Sequence, residues 1–120
     1  MPQKTKNKES TRYYSNIQES YIAKLLNGVQ TANSGATAFT KGDVRVKSAS
    51  LLVECKTCIK EKDSFSIKKE WLDKNQQEAR VTHYTNGVLA FNFGPNTSNY
   101  FIINENLMQY LTECLQKEYE

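Results

Sequence analysis

No stretch of this 120-residue chain approaches the ~20 consecutive apolar residues that a membrane-crossing helix needs, so no membrane partner is expected. The basic N-terminus, MPQKTKNKESTR, has no apolar segment behind it and does not read as a secretory signal. Histidine is almost missing: His83 is the only one, and it stands between Thr82 and Tyr84 with no Ser or Cys partner to make a hydrolase triad. The same scarcity excludes a zinc set that uses paired histidines. Cys55-Lys56-Thr57-Cys58 has the C-x-x-C spacing, but no second C-x-x-C completes four ligands. The three cysteines, Cys55, Cys58 and Cys114, are an odd number, which argues against a disulfide framework and for a reduced, cytoplasmic protein.

What is present describes one soluble-type domain. Charged residues at 24% and hydrophobic ones at 38% are ordinary for a globular chain, and the length suffices for one modest core. The net charge of +3 is compatible with a polyanionic partner. Residues 1–11 carry Lys4, Lys6 and Lys8 and almost nothing to bury, so they read as a flexible basic arm before a domain at 12–120. Such an arm is either a solvated tail or one that follows a nucleic-acid backbone.

Tyr14, Ile17, Tyr21, Ile22, Leu25 and Leu26 recur at helical spacing, and Ser15 with Gln18 has the capping-box interval, so a helix is expected over 15–26. Asn27-Gly28 ends it. A short strand at 29–32 and a turn at Asn33-Ser34-Gly35-Ala36 follow. Residues 42–46 and 51–57 alternate as two strands of a hairpin. The next helix starts either at a cap on Asp63 or Ser64, or, if 64–67 is extended, near Lys68. VLAFNF at 88–93 is a nearly continuous apolar run and reads as a central strand. A last strand at 100–103 and a helix at 105–119 complete the order. Helix, three strands, helix, two strands, helix implies an α/β or α+β domain with a mixed sheet. Phe91, Phe93, Tyr100 and Phe101 are expected in its core.

The chemistry concentrates in GDVRVKSASLLVECKT, residues 42–57. Side chains alternate along a strand, so Glu54 and Lys56 share a face and Val53 and Cys55 take the other. A carboxylate beside a lysine on a mostly apolar strand is costly to bury without partners. A metal ion and a phosphate supply them. Asp43 and Glu54 offer hard oxygens suited to Mg2+, with the Cys55 backbone carbonyl between Glu54 and Lys56 as a further ligand. Lys56 is placed to serve the attacking water or the transition state. Glu19, from the first helix, is a candidate to complete the metal shell.

Asp43…Glu54-x-Lys56 resembles the signature of the PD-(D/E)XK nuclease superfamily. The order QESYIAKLLNG, NSGA, KGDV, LLVECKT, SFSIKKEWLDK is similar to successive blocks of archaeal-type Holliday junction resolvases and related small phage nucleases, from about Gln18 to Phe93. The resemblance implies an α/β restriction-endonuclease-like fold with a central mixed β-sheet flanked by helices. It implies a metal-dependent DNA endonuclease, using Mg2+ with Mn2+ as substitute, acting on branched DNA such as a four-way junction. Restriction, nicking or repair specificity, or a non-catalytic DNA-binding module, are the alternatives. By position it gives catalytic roles to Glu19, Asp43, Glu54 and Lys56, and DNA contacts to Ser34, Gly35, Lys68 and Lys69. Symmetric cutting of two strands implies a homodimer. Two departures bear on substrate preference: Gly42 stands where the family has Pro, and Trp71 stands near where a Gln often follows the basic pair.

Overall fold

The computed structural model describes residues 2–31 and 43–120, with side chains from Arg12 to Thr31 and from Val44 onward. Ser34 and Gly35 lie outside the described residues, as does the Asp43 side chain.

The first helix, α1, is Pro2–Leu25 and is therefore longer than the expected 15–26. The stretch read as a flexible arm has a helical backbone from Pro2 on. Proline needs no amide donor at the first helical position, and the Gln, Lys and Glu that follow are good helix formers. Ser15 and Gln18 consequently sit inside a running helix instead of capping a new one. After Leu26 the chain turns through Asn27, at φ 57°, and Gly28. A Cβ at Gly28 would lie 2.7 Å from the Arg45 carbonyl oxygen, so only glycine lets the turn approach the neighbouring strand.

Five strands follow: β1 (Val29–Gln30), β2 (Asp43–Val46), β3 (Leu51–Lys56), β4 (Asn86–Asn92) and β5 (Asn99–Ile102). They form one sheet in the order β1-β2-β3-β4-β5. Every pairing is antiparallel except β3 with β4, which is parallel. A parallel pair needs a crossover, and helix α2 (Lys69–Val81) supplies it. The chain before α2 is non-helical up to its N-cap, Lys68, which is extended, so the later of the two expected starts is the one adopted. Helix α3 (Glu105–Glu118) closes the chain, capped by Asn104, whose side-chain oxygen accepts from the Leu107 amide at 2.8 Å. This is a single α/β domain with a mixed sheet, as the element order implied.

The sheet has two covered faces. Val44, Val46, Val53, Val88 and Ala90 pack against Ile22 and Ala23 of α1, with Cys55 and Leu107 at the margin. Leu52 and Leu89, one residue out of phase, are buried on the α2 side with Ala79. Each such aliphatic side chain contributes about 1.5–3 kcal/mol on burial. Asn75 of α2 is also buried and donates to the Leu52 carbonyl at 3.3 Å, which ties the helix to β3. Strand β4 is interior, with β3 and the edge strand β5 on either side, and β3 holds the centre of the sheet. The aromatic residues depart from expectation. Phe91 and Phe93 are half-buried, and Tyr100 and Phe101 are exposed. Their strand β5 is a sheet edge, and α2 lies over β3 and β4 instead.

Candidate functional site

The hairpin sets the register of the charged residues. Asp43 is the backbone partner of Glu54, at the end of the β2–β3 ladder. Strand β3 continues past that pair through Cys55 and Lys56, supported by β4 at Ala90 and Phe91. Val53 and Cys55 belong to the α1 face, so Glu54 and Lys56 belong to the α2 face.

There the two side chains meet. Lys56 Nζ is 3.2 Å from Glu54 Oε2, with the side chains only 29% and 16% exposed. The same ammonium lies 4.4 Å from the centre of the Trp71 ring, on the first turns of α2. Lys68 Nζ approaches that ring as well, at 5.8 Å. One indole thus faces two cations. Behind it the rings continue: Trp71 to Phe65 at 6.3 Å, Phe65 to Phe91 at 5.5 Å, and Phe91 to Tyr100 at 5.9 Å. Lys69 is exposed and donates to Asp73 Oδ2 at 2.8 Å. Lys68 thus reaches the Glu54–Lys56 pair through the Trp71 ring, while Lys69, next in the chain, turns to Asp73 at the surface.

Glu19 is placed elsewhere. It is buried on α1 and accepts a 2.9 Å hydrogen bond from Gln30 Nε2 of β1. Gln30 pairs with Val44, a residue of the α1 face. Glu19 is thus on the opposite side of the sheet from Glu54 and Lys56. Burial raises its pKa above the ordinary carboxylate value, and the Gln30 bond opposes that only in part.

A second group of residues supports the site from below, and sequence reasoning did not single it out. Gln18 is 4% exposed, and its Nε2 donates to the Lys56 carbonyl at 2.8 Å and to Asn99 Oδ1 at 3.2 Å. Asn92 Nδ2 donates to the same Asn99 oxygen at 3.2 Å, and Thr57 Oγ1 donates to Asn92 Oδ1 at 2.7 Å. This network locks the backbone at the end of β3 to β4, β5 and α1. The one sequence signal was Asn92 itself, a polar residue inside an apolar strand.

Among the described residues no group of three or more His, Cys, Asp or Glu side chains gathers at one point. The expected set of Glu19, Asp43 and Glu54 includes Asp43, whose side chain is outside that description. Cys55, Cys58 and Cys114 form no disulfide, and His83 is exposed. No protein-family model, curated protein or solved structure matches this chain.

Proposed function

We propose that this chain is a metal-dependent DNA endonuclease of the PD-(D/E)XK type. The observation that carries the reading is the backbone register of Asp43 opposite Glu54, with Lys56 two residues on and ion-paired to Glu54. An Asp and a Glu at paired backbone positions are residue types whose hard oxygens suit Mg2+ or Mn2+, and the Cys55 carbonyl follows Glu54 in the chain. An ion held there supplies charge neutralisation at a scissile phosphate and acidifies water. Asp43 and Glu54 would hold such an ion, and Lys56, beside Trp71, would donate to the incoming water or to the phosphate oxygens. Lys68 and Lys69 offer charge to the flanking backbone. Glu19 receives no ligand role in this proposal, because its contacts lie across the sheet.

Branched DNA is the proposed substrate, on the strength of the block order in the sequence alone. The test is incubation with labelled four-way junction, duplex and single-stranded DNA in Mg2+, Mn2+ or EDTA, with Glu54→Gln and Lys56→Met alongside. The expected result is cleavage that requires the metal, Glu54 and Lys56, and that favours the junction. Cleavage persisting in EDTA sinks the metal chemistry. Binding without cleavage under every metal condition leaves a DNA-binding module, and equal cutting of plain duplex removes the junction preference.

A further inference from the structure

The register of three strands places a row of side chains beside the candidate site. Lys56 of β3 pairs with Phe91 of β4, and Phe91 pairs with Tyr100 of β5. Side chains at paired positions share a face, so Lys56, Phe91 and Tyr100 form one rung across the α2 side of the sheet. Two strand spacings, about 10 Å, separate its ends. Helix α2 packs over β3 and β4, and the β5 end of that face stays open, with Tyr100 52% exposed.

What stands at the open end is aromatic. Phe93 lies edge-on to its two neighbours, with centroids 5.6 Å from Phe91 and 5.9 Å from Tyr100. Phe65 and Tyr100 each lie at 34° to the plane of the Phe91 ring. Phe65, Trp71, Phe91 and Phe93 are only half-buried. Five rings left part-open in one place make a patch of the kind that marks a binding surface.

The chemistry of the row narrows its occupant. One end carries two ammonium groups, Lys56 and Lys68, both against Trp71. The carboxylate at that end, Glu54, is engaged with Lys56. A matching ligand is anionic at one end and offers flat π-faces at the other. A single DNA strand does both: its phosphates suit the lysines, and its bases stack on aromatic side chains whatever their sequence. A base inside a duplex has to leave its stack before it offers such a face.

We infer that the Lys56–Phe91–Tyr100 rung, with Phe93 beside it, is a stacking platform for an unpaired DNA strand next to the candidate cleavage site. A phosphate lies at Lys56 and Lys68, and the next base or two extend toward Tyr100. The substrate class is then branched DNA that carries an unpaired arm. The choice of DNA rests on the nuclease reading, so the experiment reads binding without metal.

The test titrates the full chain, in EDTA, with labelled oligothymidylate and with an abasic oligonucleotide of the same length, followed by anisotropy. Trp71, the only tryptophan, reports contact through its emission. Oligothymidylate is expected to bind about tenfold or more tighter than the abasic strand, the gain that stacking a base on a ring supplies. Branched DNA with one unpaired arm is expected to bind tighter than its fully paired counterpart. Tyr100→Ser is expected to lose about tenfold on oligothymidylate and nothing on the abasic strand, and Tyr100→Trp to keep wild-type binding. Lys68→Gln weakens both strands alike. Tyr100 is half-exposed on an edge strand, and unchanged far-UV circular dichroism verifies that the fold is intact. Equal affinity for the two strands, equal affinity for the two branched DNAs, or a Tyr100→Ser protein that binds like wild type overturns the inference. So does the absence of any binding, which leaves the rings to a protein partner. Base-dependent binding without cleavage in Mg2+ removes the nuclease reading alone, and cleavage without base dependence removes the platform alone.

Discussion

Trp71 is the residue whose replacement most directly tests how Lys56 is held. The ammonium has two neighbours, Glu54 at 3.2 Å and the Trp71 ring at 4.4 Å. At 3.2 Å a charge pair is worth ~1 kcal/mol in water and ~5 kcal/mol at an effective dielectric of ~20. Partial exposure places this pair near the lower figure, and a metal that takes the Glu54 carboxylate removes it altogether. What then remains for Lys56 is the ring. A cation–π contact is worth ~0.5 kcal/mol when exposed and ~2 kcal/mol when desolvated, so about 1 kcal/mol is reasonable for an ammonium that is mostly covered. Loss of 1 kcal/mol of positioning in the transition state is about a fivefold loss of rate.

Trp71→Leu is therefore expected to lower the single-turnover cleavage rate about fivefold, with substrate affinity little changed. Trp71→Phe is expected to recover part of the loss. Lys56→Met removes the charge itself and is expected to cost about a hundredfold or more. The decisive arm is the double variant. If Trp71 acts through Lys56, then adding Trp71→Leu to Lys56→Met costs nothing further. Two losses that multiply, or a Trp71→Leu enzyme as fast as wild type, refute the reasoning. Trp71 is the only tryptophan, so its emission also reports the contact without any cleavage. Lys56→Met must shift that emission.

Glu19→Gln separates the two faces of the sheet: cleavage is expected to survive it while Glu54→Gln abolishes cleavage, the contrast being read in one assay. The same variant has a stability signature. Burial raises the Glu19 pKa, so the stabilising protonated form is fully available below the ordinary carboxylate pKa, and stability is lost as pH rises through the raised value. Thermal melts should show Glu19→Gln gaining on wild type between acid and neutral pH, and parallel curves would refute it. Gly87→Ala drives a methyl into Asn75 Oδ1 and to within 2.9 Å of the Asn75 carbonyl, and is expected to cost about 2 kcal/mol, or roughly 8 °C in melting temperature. Gln18→Leu removes the donation to the Lys56 carbonyl and leaves Asn99 Oδ1 with Asn92 alone, and should cost roughly 1–3 kcal/mol by denaturant titration while slowing cleavage; an unchanged unfolding midpoint would count against the network.

The order of elements was legible because period and punctuation agree through most of the chain. Glu54 and Lys56 were legible as neighbours because strand alternation is strict. The start of α1 was not. Residues 2–11 lack an apolar face, and sequence reasoning looks for one, whereas helix propensity can extend a backbone that packing has already nucleated. Of the Gln18 network only Asn92 left a mark in the sequence. Its members lie as far as 81 residues apart, and nothing local marks an amide that bonds a distant carbonyl. The aromatic residues of β4 and β5 were misplaced because strand propensity rises with aromatic content whether a strand is central or at an edge.

Glu19 shows the sharper limit. Its interval from Asp43 and Glu54 is compatible with one metal shell, and no periodicity argues otherwise. Deciding the matter requires knowing which sheet face each helix covers. Alternation gives only a relative answer: Glu54 and Lys56 oppose Val53 and Cys55. Both faces of this sheet carry a helix with apolar and charged positions, so the sequence has no asymmetry that assigns one set to α1. The assignment comes from packing. Ile22 and Ala23 of α1 take Val44 and Val53, which leaves Glu54 and Lys56 to α2. The cation that α2 brings to this side is Lys68, whose ammonium shares the Trp71 ring with Lys56. On the proposed nuclease reading, Lys56 and Lys68 would draw a polyanion toward the Glu54 carboxylate that repels it, and a cation bound there would reconcile the two. Helix α2, not α1, covers that side of the sheet.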